Sequence, residues 1–272
     1  MSIGVHSWLI LRAVNLFPQH IHRIDDADDD RVDRHLLRLG SHAGARALRQ
    51  QDEISHARAE RIDGHDPAAI ERLFVDVFLE AHRRAPEQIT LDLDATDDPL
   101  HGHQEGRFFH GYYNCYCYLP LYVFCGRHLL AAKLRRSNID ASAGAVDEIA
   151  RIVAQIRKRW PRVRILLRGD SGFAREALMA WCEANRVDYL FGLARNERLE
   201  EAIKAELLMA AVESIRTGKS ARCFKDFMWS TLDSWSCHRR VIGKAEVIGG
   251  EANPRFVVTS LKPAEVGGQH RD

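Results

Sequence analysis

The stretch Ile89-Thr90-Leu91-Asp92-Leu93-Asp94-Ala95-Thr96-Asp97-Asp98-Pro99 constrains the fold more than any other. It starts as an alternating apolar run and turns acidic just before a proline, the pattern of a β-strand with carboxylates at its exit. In an extended chain Ile89, Leu91 and Leu93 share one face, while Thr90, Asp92 and Asp94 share the other. A second such exit lies 76 residues on, at Val163-Arg164-Ile165-Leu166-Leu167-Arg168-Gly169-Asp170-Ser171-Gly172-Phe173, ahead of a helical pattern. Two strands that end in Asp94 and Asp170 suggest a metal site.

Between and around these exits the chain reads as an α/β protein. Residues 20–66 are polar, with the acid run Asp25-Asp26-Ala27-Asp28-Asp29-Asp30, and are expected to be helical and loosely packed or disordered. Their histidines (His20, His22, His35, His42, His56 and His65) have no ligand spacing. Pro67 opens a helix with Ile70, Leu73, Phe74, Val77 and Phe78 at helical spacing. After the Asp94 strand come a linker at 100–106 and an apolar, aromatic run at 108–134, read as one antiparallel hairpin turning at Gly126. A helix from Asp140 or Ser142 to Pro161 leads into the Asp170 strand; a helix at 173–185, a strand at 187–193 and a helix at 196–216 follow. Three β-like runs close the chain at 221–230, 236–248 and 255–261. Hairpins followed by helical crossovers imply a mixed sheet with helices on its faces. Right-handed crossovers allow the Asp170 strand to lie parallel to and beside the Asp94 strand, bringing both carboxylates to one sheet edge. This is the element order of an RNase H-like core.

Composition narrows the setting. No run reaches the roughly 18 uninterrupted apolar residues of a membrane helix, and the apolar run at 3–17 is broken by His6, Arg12 and Asn15. That run has neither a basic leader nor a small-residue cleavage site, so a soluble, cytoplasmic protein is expected. Six cysteines, two of them as Cys115-Tyr116-Cys117 in an aromatic strand, make no disulfide framework and no zinc spacing; reduced core residues are expected. Residues 1–100 carry 12 Lys+Arg against 19 Asp+Glu, whereas residues 101–272 carry 27 against 19. A basic body around a few acids suits a polyanion handled through metal ions, although ordinary solvated helix faces give the same balance.

Paired carboxylates at adjacent strand ends can hold two divalent cations about 4 Å apart for in-line attack on a phosphodiester. Mg²⁺ suits them, with Mn²⁺ as a substitute, because both prefer hard oxygen ligands. A single strand-exit Asp is more often a turn or helix cap, so the local sequences carry more weight. Leu91-Asp92-Leu93-Asp94-Ala95-Thr96-Asp97-Asp98-Pro99 with Gln104-Glu105-Gly106, then Phe109-His110-Gly111-Tyr112-Tyr113, Leu119-Pro120-Leu121-Tyr122-Val123-Phe124-Cys125-Gly126, Arg168-Gly169-Asp170-Ser171-Gly172-Phe173 and Gly192-Leu193-Ala194-Arg195-Asn196 resembles bacterial insertion-sequence transposases of the DDE superfamily. The resemblance runs over residues 68–261. It implies an RNase H-like core, Mg²⁺ dependence, and cut-and-paste strand transfer at the terminal inverted repeats of double-stranded DNA, with a homodimer on the DNA. Asp94 and Asp170 would be the first two catalytic, metal-binding acids, with Asp92 as the fallback on Asp94's face.

The resemblance also divides the chain: a polar segment at 1–66, the core at 67–216, a β-rich insertion at 217–253, and a last core strand with a tail at 254–272. The family's catalytic Glu lies on a helix after the strand equivalent to Phe256-Val257-Val258-Thr259-Ser260-Leu261, and the chain ends before such a helix. Glu246, Glu251 and Glu265 do not take its place, so a truncated, inactive transposase is one expectation. Two others stand beside it: a noncatalytic DNA-binding remnant, and an unrelated metal-dependent hydrolase using His101 and His103 with Asp98. Arg175, Arg195 and Arg198 are phosphate contacts or plain helix charges, and Trp229 and Trp235 are base-stacking rings or hairpin core.

Overall fold

The computed structural model describes residues 66–263; the expectations for residues 1–65 with their histidines, for the tail beyond 263 and for Glu265 lie outside the described residues. The chain divides into two compact units, and the boundary falls inside the first described helix, α1 (Pro67–Glu80), between Leu73 and Phe74. Everything described from Phe74 onward belongs to one unit.

That unit is built on β1 (Gln88–Ala95), whose alternating sequence becomes alternating burial: Ile89, Leu91, Leu93 and Ala95 are buried, while Thr90, Asp92 and Asp94 are half-buried. A small sheet follows, made of β2 (Asp98–Pro99), β3 (Phe108–His110) and β4 (Cys115–Tyr118) in the order β2-β4-β3. Next come the hairpin β5 (Leu121–Cys125) and β6 (His128–Lys133), helix α2 (Ala145–Arg159), strand β7 (Arg164–Gly169) and helix α3 (Glu176–Ala184). The remaining elements are β8 (Asp188–Leu193), α4 (Glu197–Ala202), α5 (Lys204–Thr217), β9 (Ala221–Trp229), β10 (Arg239–Ile248), β11 (Glu251–Ala252) and β12 (Arg255–Thr259).

Nine strands form one mixed sheet in the order β11-β10-β12-β8-β7-β1-β5-β6, with β9 on β10. Among the described strands, the neighbours paired in parallel are β1 with β7 and β7 with β8, at its centre. β7 and β8 each bury four of their six residues, including consecutive ones, as strands covered on both faces do. Helix α2 presents Ile149, Ile152, Val153 and Ile156 to the core, and Phe78 of α1 meets the Trp160 ring at 5.5 Å. The expected α/β architecture, a mixed sheet flanked by helices, is therefore the one observed.

Two expectations are corrected. Residues 108–134 are two hairpins in two sheets, not one. Asn114 turns with φ 52° between β3 and β4, and the buried Pro120, which has no amide to donate, separates β4 from β5. Arg135 holds that corner, donating from Nε to the Leu119 carbonyl at 2.8 Å and from Nη1 to those of Ala141 and Ala143. The helix expected at 196–216 breaks at Ile203, which is fully buried against Gly243; the Lys225 ammonium donates to the Ala202 carbonyl freed by the break, at 2.7 Å. Only the tertiary contact of Ile203 explains the kink, because the apolar spacing alone is continuous.

A buried cation ties the β10 strand to helix α3. Arg239 on β10, 4% exposed, donates to Glu176 at 2.6 Å and to Glu183 at 2.7 Å, both on α3, and Glu183 accepts from the Tyr189 hydroxyl at 2.7 Å. Hydrogen bonds from Arg239, helped by Ser236 and opposed by burial, hold the Glu176 carboxyl down at about 2. Because its folded pKa lies below the unfolded one, Glu176 contributes stability above about pH 4.5 that is lost as the pH falls toward 2. Glu176→Gln should flatten this acid limb, removing about 2 to 3 kcal/mol of pH-dependent stability in urea unfolding followed from neutral to acid pH.

Candidate active site

The site is made by register. β1 and β7 pair in parallel from Gln88 opposite Arg164 to Asp92 opposite Arg168, a constant offset. Two residues further along the same offset Asp94, next to last in β1, stands opposite Asp170, the first residue beyond β7. Adjacent strands lie about 4.8 Å apart, so two carboxylates from segments 76 residues apart in sequence share one edge, at the carboxyl ends of parallel strands. Both carboxyls are pushed above the ordinary aspartate range. Burial is the main cause in each, and the charge of Asp170 adds to it at Asp94.

The surroundings decide which acids remain available. Asp92, on the same face, is gripped by Arg168 in a bidentate pair at 2.6 and 2.8 Å, so the fallback acid is already neutralised. Asp170 caps the short 3-10 turn Ser171–Phe173, one carboxylate oxygen accepting from the Gly172 amide at 2.8 Å. The cap and the site are thus the same residue. Arg175 lies close enough to lower the Asp170 pKa against its burial, while its guanidinium is held by Asp140 at 2.8 Å. Arg198 lies 5.2 Å over the Trp229 ring, and Trp229 meets Trp235 edge-on at 5.4 Å, with Trp235 buried in the core. Trp235 therefore packs the hairpin.

Close packing sets the Asp170 corner. A Cβ on Gly192 of β8 would lie 3.0 Å from the Ser171 nitrogen and 3.2 Å from the Asp170 carbonyl carbon. Gly169 leaves room for the Phe173 ring in the same way, where a Cβ would come within 2.9 Å. Glycine at 192 is therefore required by the approach of one backbone to another, and the Gly192-Leu193-Ala194-Arg195-Asn196 motif carries it.

Reading the residues alone missed Tyr113. It sits at the tip of the β3–β4 hairpin, its hydroxyl 3.5 Å from the carbonyl of Ala95, the residue after Asp94. Its hydroxyl is pushed up to about 12, first by burial and then by the charges of Asp97, Asp170 and Asp94, among others, which places it beside the carboxylates. His110, whose ring centroid is 4.8 Å from that of Tyr113, has a buried Nδ1 without a hydrogen-bond partner among the described residues. Only the fold of the hairpin back onto β1 brings these rings to the site, and no spacing rule announces it.

The chemistry of the pair fits a divalent cation: two hard oxygen donors, partly desolvated and mutually repelling, which a cation would relieve. A cation placed there would be held by Asp94 and Asp170. Among the described residues no set of three or more His, Cys, Asp or Glu side chains gathers for a metal. Glu246 is engaged by Lys244 at 2.6 Å on β10, three strands from β7, and Glu251 lies beyond it on β11. His103 Nδ1 lies 2.8 Å from the Arg107 guanidinium, and neither it nor His101 joins a ligand group. Gly192→Ala should weaken Mn²⁺ binding about 10-fold in calorimetry and also lower the melting temperature, because the Asp170–Ser171 backbone must give way to the added Cβ.

No curated protein sequence matches the chain. Among solved structures, a piggyBac transposase in its synaptic complex with hairpin DNA aligns at 12% identity and a TM-score of 0.37, over 64% of this chain and 33% of that one. The chain thus spans about a third of that protein's length. Residues 22–270 match the family described as transposase DDE domain group 1, which covers the whole carboxylate-bearing sheet. The chain belongs to the transposase DDE domain family.

Proposed function

We propose that this chain supplies the metal-binding carboxylates of a DNA transposase, cleaving and joining phosphodiesters at the ends of its element. The reading is supported by the β1–β7 register, which, continued two residues past Asp92 and Arg168, brings Asp94 and Asp170 to the carboxyl edge of three parallel strands, and by the charge of Asp170 felt at Asp94. In this reading Asp94 and Asp170 hold divalent cations, Mg²⁺ or Mn²⁺. Held by Asp94 and Asp170, such a cation would supply positive charge to a scissile phosphate and so favour in-line attack by water or a DNA hydroxyl. The side chains do the rest. Arg168 keeps the Asp92 carboxylate neutralised, so that the acidic charge is concentrated at the mouth. Arg175, paired with Asp140, moderates the charge of Asp170, and Tyr113 offers a hydroxyl. The partner is double-stranded DNA, as terminal inverted repeats and target, engaged by a homodimer.

A second reading is a DNA-binding chain that does not turn over. It is favoured by one observation, that no third carboxylate joins the pair among the described residues. The two part on a single experiment. Incubation with Mg²⁺ and DNA that carries the sequences flanking its own gene should give nicked products with the parent and background with Asp94→Ala or Asp170→Ala. Salt-sensitive DNA binding should survive in all three. Parental binding without nicking would establish the second reading.

A further inference from the structure

The outer face of the small β2-β4-β3 sheet is an exposed aromatic surface that the carboxylate chemistry does not use. The sheet has one body-facing side, where Cys117 is fully buried and the Ser137 hydroxyl donates to the Phe108 carbonyl at 2.9 Å. On the other side Phe109 and Tyr116 sit directly opposite each other in the β3–β4 register, their ring centroids 5.6 Å apart. They are 53% and 48% exposed, and Tyr112 at the hairpin tip is 86% exposed. Core packing does not account for rings left this open. A cation borders them: the Arg107 guanidinium lies 4.5 Å over the Tyr116 ring.

We propose that this face is a stacking platform for unpaired DNA nucleotides flanking the scissile bond. Exposed rings edged by guanidinium groups form the usual surface for single strands, since bases stack on the rings and phosphates meet the cations. A duplex offers these rings nothing comparable, because its base faces are already stacked on each other. The occupant follows from position. The ring of Tyr112 is 5.0 Å from that of Tyr113, whose hydroxyl reaches the β1 exit beside Asp94, so the platform begins where the carboxylate pair ends. A strand opened next to the cleavage point would run onto it. The proposal rests on the reading of Asp94 and Asp170 as a DNA-cleaving pair, and extends it to the strand beside the cut.

The test uses the full chain with duplex DNA and with forked DNA, opened for a few nucleotides at the cleavage point and carrying a fluorescent base analogue in the opened strand. The parent should bind the fork more tightly than the duplex and quench the analogue. Phe109→Leu, Tyr112→Leu and Tyr116→Leu keep an apolar side chain on the sheet and remove the ring. Each should lose about 10-fold in fork affinity, with duplex affinity and melting temperature unchanged, whereas Asp94→Ala should quench like the parent. Equal fork and duplex affinities in the parent, or leucine variants that bind the fork as the parent does, would overturn the platform. A parental dimer that these variants dissociate in sedimentation, with fork binding intact, would overturn it in favour of a contact between copies. Ring-dependent quenching by a parent that never cleaves would leave the platform standing and remove the catalytic reading.

Discussion

The parallel pairing of β1 with β7 is the constraint on which the rest of the site depends. A slip of one residue would turn every side chain of β1 to the opposite face, burying Asp92 and Asp94 and exposing Leu91 and Leu93. The hydrophobic face of β1 forbids this, and the bidentate Arg168–Asp92 pair, from residues directly opposite in the register, reinforces the correct alignment. Pairing Asp92 has a second effect. It leaves Asp94 and Asp170 as the two facing carboxylates at the edge, where burial and mutual repulsion favour an added cation.

Buried ion pairs then hold the sheet's neighbours in place. Arg239 links β10 to α3 through two glutamates, and Glu148 of α2, almost fully buried, meets Lys133 of β6 at 2.9 Å and the Arg151 guanidinium one turn on. Such pairs add little net stability over an apolar packing of the same shape, yet removing one partner leaves a desolvated charge and is strongly destabilising. Their effect is therefore on arrangement. α3, which follows the Asp170 turn, carries both glutamates of the Arg239 network, so displacing it would leave that buried charge unpaired.

The edge of the site is finished by small geometric allowances. Gly192 lets β8 pass against the backbone of Asp170 and Ser171, and the β3–β4 hairpin, turned by Asn114, folds Tyr113 back onto the end of β1. Neither feature contributes charge, but each decides what the carboxylates face.

Much of this was legible in the chain. The alternation of Ile89, Leu91 and Leu93 with Asp92 and Asp94 determines a half-buried strand, because period-two burial needs no partner to be recognised. The equal spacing from each apolar run to its Asp allowed Asp94 and Asp170 to meet, and the quoted motifs pointed to the family that residues 22–270 match. Other features were decided only in three dimensions. The kink at Ile203 depends on the pocket over Gly243, the separate three-stranded sheet depends on where Pro120 and Arg135 turn the chain, and the place of Tyr113 depends on a hairpin closing over another strand. Local patterns record which face of an element is apolar. Which elements touch, and so which polar groups are desolvated together, is set by packing between residues far apart in sequence, and that information exists only once the chain has folded.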